Sequence, residues 1–93
     1  MLTVEHASDL AAHAGQAIGH SGWVEITQVA IDDFARLTGD DHWIHVDVER
    51  AAREMPGGKT IAHGLYVVSL MPRMQRDIYK VEKRGRGLNY GYD

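Results

Sequence analysis

The chain of 93 residues has room for one small domain, and its 44% hydrophobic and 25% charged residues, with a net charge of −3, are typical of a globular protein. That composition excludes a disordered tail, a collagen-like chain and a coiled-coil rod. The absence of cysteine excludes disulfide scaffolds, thiolate zinc sites and cysteine nucleophiles.

The first half of the chain predicts three short helices and one strand. Residues 7–14 are rich in helix formers, and residues 23–29 carry the β-branched and aromatic side chains of a strand. Apolar residues at helical spacing predict a helix over 30–38 that ends at Gly39. A further helix is expected over 47–55, capped by its first residue, an aspartate.

The second half of the chain predicts a buried helix and the start of a strand. Residues 63–79 form one long helical pattern whose first half is apolar nearly all round, as in a fully buried helix. Pro72 lacks a backbone N–H and is expected to kink or break that helix. Residues 88–92 alternate like a nascent strand. Because two strands cannot enclose such a helix, the sequence predicts part of an α+β domain whose sheet is incomplete at the C-terminal end.

Basic side chains are concentrated in residues 73–86, whereas the chain before them is acidic. Such a segment forms either a solvated helix face or a surface that binds phosphates. We expect no nucleic-acid partner, because the whole chain is acidic and carries no recognised nucleic-acid motif. No apolar stretch approaches the ~20 residues of a membrane helix, and no secretory signal pattern opens the chain. We therefore expect a cytoplasmic protein with no membrane partner.

The densest group of chemically active side chains lies between Gly39 and Asp47, and three interpretations of it are open. Asp40 and His45 form an acid–base pair acting on water if a loop brings them together. Alternatively, His42 and His45 bind a metal ion, with Asp40 or Asp47 as the carboxylate ligand. In the third interpretation the aspartates cap neighbouring amides and the histidines are ordinary loop residues. Gly39 and the polar residues after it favour a loop, which suits the pair better than the metal site.

A second feature is Gly64, which opens the predicted buried helix within Thr60-Ile61-Ala62-His63-Gly64. A glycine at a helix start leaves its backbone N–H accessible, where it can stabilise negative charge on a carbonyl oxygen. Alternatively, Gly64 only allows close packing at the helix entry. His63 by itself is more typical of a structural histidine than of a catalytic one.

Together these features resemble the MaoC-like dehydratases, the (R)-specific enoyl-CoA hydratase family, and most closely its nodulation-protein-N-like branch. The resemblance covers roughly residues 20–93. It is carried by Thr38-Gly39-Asp40, His45-x-Asp47, Thr60-Ile61-Ala62-His63-Gly64 and Asn89-Tyr90-Gly91. His42-Trp43 stands where the hydratase signature has Asn-Pro, a replacement typical of that branch.

The resemblance implies a hot-dog fold, in which an antiparallel sheet wraps around one long central helix, and a homodimer. It implies hydration of trans-2-enoyl-CoA to (R)-3-hydroxyacyl-CoA, or the reverse dehydration. Asp40 and His45 match the catalytic pair, and the Gly64 N–H matches the group that binds the thioester carbonyl. Coenzyme A is part of the acyl-CoA substrate, so the resemblance implies no separate cofactor and no metal. The basic segment 73–86 is a candidate partner for the coenzyme A phosphates.

Family domains are longer than this chain. We therefore expect residues 1–93 to be the N-terminal portion of a single MaoC-like hot-dog domain, inactive by itself. The helix face that bears Leu65, Val68 and Met71 should then be abnormally exposed. The alternative to an enzyme is a non-catalytic hot-dog module that binds acyl-CoA or pairs with another subunit.

Overall fold

The computed structural model describes residues 1–83, which form two compact units. The first unit joins residues 1–22 to the segment that follows Met71, and the second unit runs from Trp23 to Met71. Within the described residues, no helix has both the length and the apolar character required to cross a membrane.

A two-stranded parallel sheet organises the first unit. Strand β1 (Leu2–Val4) pairs with strand β2 (Tyr79–Val81), and Leu2 lies opposite Tyr79. The N–H of Leu2 also donates to the carbonyl of Ile78 over 3.0 Å, which extends the pairing by one bond. At the end of the predicted long helix, residues 76–78 therefore form a turn and Tyr79 begins a strand.

The helix predicted over 7–14 is a 3-10 helix, Ala7–His13. The Asp9 carboxylate accepts a hydrogen bond of 2.9 Å from the backbone N–H of His6 and fastens the first turn. Gly15 follows the helix with a φ of +79°, a left-handed conformation that favours glycine. The helical position is confirmed, and the tighter winding is common in short helical segments.

Helix α1 (Gln28–Thr38) is the longest helix of the second unit. It begins two residues earlier than predicted, because the Thr27 hydroxyl accepts a backbone N–H of the first turn over 3.1 Å. It ends as predicted at Gly39, whose φ is +81°. Ile31 and Ala35 lie one turn apart and are both buried.

The strand predicted over 23–29 is wrong. Its last two residues belong to α1, and residues 23–27 have no partner strand among residues 1–83. Exposure alternates along this segment, and Trp23 is fully exposed. The β-branched and aromatic side chains suit a strand, but a strand also needs a neighbour with which to exchange hydrogen bonds.

Two short helices follow, α2 (Trp43–Val46) and α3 (Val48–Glu54). Asp47 lies between them, and its carboxylate caps α3 as predicted by accepting the N–H of Arg50 over 3.0 Å. The Arg50 guanidinium lies 4.1 Å from the centre of the Trp43 ring, a contact that joins the two helices. The predicted loop is shorter than expected, since its second half forms the single turn of α2.

After a 3-10 turn (Pro56–Gly58), the predicted long helix is divided into α4 (Gly64–Ser69) and α5 (Met71–Gln75). Pro72 explains the division, because it has no N–H for the carbonyl four residues back and its ring clashes with that carbonyl. The N–H of Leu70 closes the last turn of α4 over 3.1 Å. The predicted break is confirmed, whereas the continuous helix is not.

Few side chains are buried among residues 1–83. The apolar ones are Ile31, Ala35 and Ala51, all in the second unit. The polar ones are His45 and His63, with exposures of 8% and 2%. The interior of the second unit is therefore built in part from imidazole rings.

The apolar side chains at the end of the second unit are exposed, as the sequence predicts. Leu65 is 74% exposed, Val68 37% and Met71 41%. Large apolar side chains that cluster at a surface in this way are typical of a face that another polypeptide covers.

The α+β class is confirmed by the short sheet and the five α-helices of the described residues. An antiparallel sheet wrapped around a long central helix remains a prediction, because residues 1–83 contain one parallel pair of strands. The strand predicted over 88–92 lies outside the described residues, together with the Asn89-Tyr90-Gly91 motif that falls within it.

Candidate active site

His45 lies on α2 with its ring held by one strong hydrogen bond. Its Nδ1 is 2.7 Å from the backbone carbonyl oxygen of Ile61. A carbonyl oxygen can only accept, so Nδ1 carries the proton of the neutral ring and Nε2 holds the lone pair. The backbone also joins these segments, since the Ile61 N–H donates to the Ile44 carbonyl over 3.0 Å. His45 is thereby arranged as a base with a defined basic atom.

His63 immediately precedes α4, and its ring lies against that of His45. The two ring centres are 3.9 Å apart and the planes are inclined by 23°. The Nε2 of His63 lies 2.8 Å from the backbone carbonyl oxygen of Asp40, so Nε2 carries the proton. Its Nδ1 is buried and has no hydrogen-bond partner among residues 1–83. Sequence reasoning treated His63 as structural and missed its contacts with both members of the predicted pair.

Asp40 stands in the exposed loop between α1 and α2. The loop returns the chain towards α4, so that a carboxylate oxygen of Asp40 and a ring nitrogen from each of His45 and His63 lie within 4.8 Å of one another. The chain thus reverses between Asp40 and His45, as an acid–base pair of these two residues requires. Asp40 is exposed to solvent, whereas His45 and His63 are both buried.

Of the residues considered for a metal site, Asp40 and His45 lie close together, whereas His42 and Asp47 lie outside their group. The His42 Nδ1 accepts the N–H of Ile44 over 3.3 Å as the cap of α2, and Asp47 caps α3. The close group instead contains His63 with Asp40 and His45. Because the two imidazoles are stacked, their lone pairs lie in two nearly parallel planes that do not meet near the rings, which disfavours a shared ion.

Gln28, at the start of α1, connects the segments around the pair. Its side-chain N–H groups donate to the His45 carbonyl over 2.8 Å and to the Asp32 carboxylate over 2.9 Å. Its amide oxygen accepts from the Thr60 hydroxyl over 2.6 Å. Sequence reasoning missed Gln28, since its partners lie up to 32 residues away and no spacing pattern relates them.

Aromatic side chains of α1 and α4 pack beside His63. The Phe34 ring of α1 lies 4.8 Å from the His63 ring and 5.4 Å from the Tyr66 ring, centre to centre. The Phe34 and Tyr66 planes are inclined by only 13°. These contacts join α1 to α4 and leave His63 little freedom to turn.

Gly64 is the first residue of α4, and the space beside it is open. A Cβ built on Gly64 meets no atom within 4 Å, and its φ lies outside the left-handed region. Close packing and backbone strain therefore do not explain this glycine within the described residues. As a first-turn amide, its N–H lacks a partner within the helix, which is the property the sequence interpretation needs.

The basic segment belongs to the first unit, and one of its cations is already paired. The Lys83 ammonium lies 2.7 Å from the Glu5 carboxylate. Arg84 and Arg86 lie outside the described residues. The predicted role of residues 73–86 towards coenzyme A phosphates remains a prediction.

Comparison with known proteins identifies relatives along most of the chain. A family model described as a MaoC-like domain matches residues 9–90. The 3-hydroxyacyl-thioester dehydratase Z of Mycobacterium tuberculosis (strain H37Rv) is 50% identical over 91 residues, covering 98% of this chain and 60% of that protein. The chain thus spans about 60% of the length of this curated relative.

Nodulation proteins N are also similar to this chain. That of Rhizobium leguminosarum bv. viciae is 44% identical over 87 residues, covering 92% of this chain and 54% of that protein. That of Rhizobium meliloti is 41% identical over the same length, with the same coverage. The branch indicated by the sequence motifs is therefore represented among the relatives.

Proposed function

The chain belongs to the MaoC-like domain family, and from that premise we propose that it supplies the catalytic pair of a 3-hydroxyacyl-thioester dehydratase. The reaction interconverts (R)-3-hydroxyacyl-CoA and trans-2-enoyl-CoA, and coenzyme A enters as part of the substrate. The observation that carries the proposal is the Asp40 carboxylate within 4.8 Å of a ring nitrogen of His45.

In the hydration direction His45 is the general base. Its Nε2 takes a proton from water as the water oxygen bonds to C3 of the enoyl chain. The π electrons of the C2–C3 bond move towards the thioester and form an enolate, which then accepts a proton at C2. The Ile61 carbonyl accepts from Nδ1–H and so favours the positive charge that the ring acquires.

Asp40 has the second role in this mechanism. Its exposed carboxylate orients the water beside His45 and shares in the delivery of the proton to C2. Dehydration follows the same steps in reverse, with a proton leaving C2 and the C3 hydroxyl leaving as water. The pair therefore works on one water molecule in both directions.

Gly64 is proposed to stabilise the enolate. Negative charge develops on the thioester oxygen as water adds, and a backbone N–H directed at that oxygen lowers the barrier. The open space beside the Gly64 Cα lets an acyl thioester approach this amide closely. We also propose that the protein pairs as a homodimer, in line with the fold that its family implies.

The experiment that tests the function is turnover of crotonyl-CoA by the full-length gene product. Loss of enoyl absorbance, with (R)-3-hydroxybutyryl-CoA identified by chiral chromatography, is the expected result. His45→Gln serves as the matched inactive variant. Tight binding of crotonyl-CoA without turnover would support the non-catalytic module instead.

A further inference from the structure

His63 contacts both members of the candidate pair, Asp40 and His45, although the sequence motifs do not assign it to that pair. Its Nε2–H donates to the Asp40 backbone carbonyl over 2.8 Å, and its ring covers one face of the His45 ring at 3.9 Å. We propose that His63 is a positioning residue that holds Asp40 and His45 in working geometry. The inference rests on the proposed function and adds a residue to it.

Packing alone does not explain an imidazole at this position. His63 is 2% exposed, and its Nδ1 has no partner among residues 1–83. Buried polar atoms are normally hydrogen-bonded, and one that is not destabilises the fold. An apolar ring of similar size would pack against Phe34 without that cost. The benefit of the imidazole therefore lies at Nε2, which bonds to Asp40.

The two members of the pair depend on His63 to different degrees. His45 has two further anchors, since Ile61 accepts from its Nδ1–H and Gln28 donates to its carbonyl. Asp40 is exposed, and its backbone N–H has only a long bond of 3.3 Å to the Thr38 hydroxyl. The bond from His63 is the shorter of these two anchors of Asp40 by 0.5 Å. Loss of the N–H donor should therefore affect the pair more than loss of the ring.

Two substitutions separate the donor from the ring. His63→Phe keeps an aromatic ring between His45 and Phe34 but removes the N–H that Asp40 accepts. His63→Gln removes the ring but keeps an amide N–H at a distance from the backbone similar to that of Nε2. Ile31→Val is the packing control, because it removes a buried methyl group from α1 and leaves both the His63 ring and its bond to Asp40 in place.

The readout is the division of the effect between kcat and KM for crotonyl-CoA in the full-length gene product. Small misplacements of catalytic groups cost up to about 100-fold in rate, so we expect His63→Phe to lower kcat about 30-fold or more, with KM changed less than about threefold. His63→Gln should recover part of that loss and fall about tenfold or less below the wild type. Ile31→Val should lower the melting temperature and leave kcat within about twofold.

The possible outcomes distinguish this inference from the proposed function. If the wild type turns over crotonyl-CoA and folded His63→Phe keeps its kcat, the positioning role is wrong and the proposed function stands. If the wild type has no turnover, both are wrong. If His63→Phe does not fold, the comparison of His63→Gln with Ile31→Val decides: a lower kcat in Ile31→Val than in His63→Gln makes the role purely structural. Imidazole nitrogen NMR gives a readout without turnover, and a wild-type His63 protonated only at Nδ1 would overturn the proposal.

Discussion

The side-chain amide of Gln28 donates a hydrogen bond of 2.8 Å to the backbone carbonyl of His45, 17 residues further along the chain. The same amide accepts from the Thr60 hydroxyl over 2.6 Å. One half-buried side chain thus joins α1 to the helix that carries His45 and to the segment that leads to Gly64. A substitution that removes the amide leaves a donor and an acceptor without their partners.

Gln28→Met should lower the free energy of unfolding by about 1–3 kcal/mol, because the His45 carbonyl and the Thr60 hydroxyl lose their partners. Gln28→Glu should lower it further, since a carboxylate there repels the Asp32 carboxylate and cannot donate to the carbonyl. Urea denaturation of the full-length gene product measures both. The exposed Gln75→Met is the control, and unchanged stability of Gln28→Met would show that the network contributes nothing.

Asp40→Asn and His45→Gln should each lower hydration of crotonyl-CoA about 100-fold or more. The double variant should be little worse than either single variant, because groups that act on one water molecule lose their effect together. Steady-state rates of the three variants test this. His42→Ala is the control, since His42 caps α2 and lies outside the close group. If His42→Ala abolishes activity while Asp40→Asn retains more than about a tenth, the wrong histidine has been chosen.

Gly64→Ala should lower the activity without lowering the stability of the fold. The added Cβ meets no atom within 4 Å, and the backbone conformation suits alanine, so the melting temperature should not fall. The methyl group stands beside the amide proposed to bind the thioester, and we expect kcat to fall about tenfold or more. Gly22→Ala, which also avoids a close contact, is the matched control. Full activity of Gly64→Ala would remove Gly64 from the mechanism.

Metal removal should leave the activity unchanged. Stacking of the His45 and His63 rings does not direct their lone pairs to one point, so we expect no stoichiometric zinc or iron in the purified protein. Elemental analysis and turnover after dialysis against EDTA measure this. Loss of turnover that only added Zn²⁺ restores would establish a metal site at Asp40, His45 and His63.

An isolated chain of residues 1–93 should associate and have no hydratase activity. Full burial of a large apolar side chain contributes about 1.5–3 kcal/mol, and Leu65, Val68 and Met71 each forfeit the part that corresponds to their exposure. Sedimentation velocity should show self-association that Leu65→Ser weakens. A monomer that melts cooperatively above about 50 °C would show that these residues complete their own core.

The local features of the fold were predictable because they depend on neighbouring residues. Gly39 ends α1 in a left-handed conformation, and Asp47 caps α3, both as the sequence indicates. Pro72 interrupts the predicted long helix for a reason that lies within one turn of it. The absence of a strand at residues 23–27 could not be predicted, since a strand depends on a partner elsewhere in the chain.

The candidate site likewise has one contact that the sequence could predict and one that it could not. The approach of Asp40 to His45 was expected of a chain reversal after Gly39, although the second half of that reversal is the single turn of α2. The contact of His63 with Asp40 joins residues 23 apart, and it arises only when α4 packs against α1 through Phe34 and Tyr66. Periodicity describes which face of a helix is apolar, and it carries no information on which polar side chain will be enclosed with which.

The imidazoles in the interior of the second unit restrict how this protein can become more stable. A common route to higher stability replaces buried polar groups with apolar ones, but here that route passes through His45 and His63. Under the proposed function, the same two buried side chains therefore have to serve both the reaction and the stability of the fold. Substitutions that raise the heat stability of this unit are then left to exposed positions, such as Val29 and Leu37 of α1, which are 70% and 83% exposed.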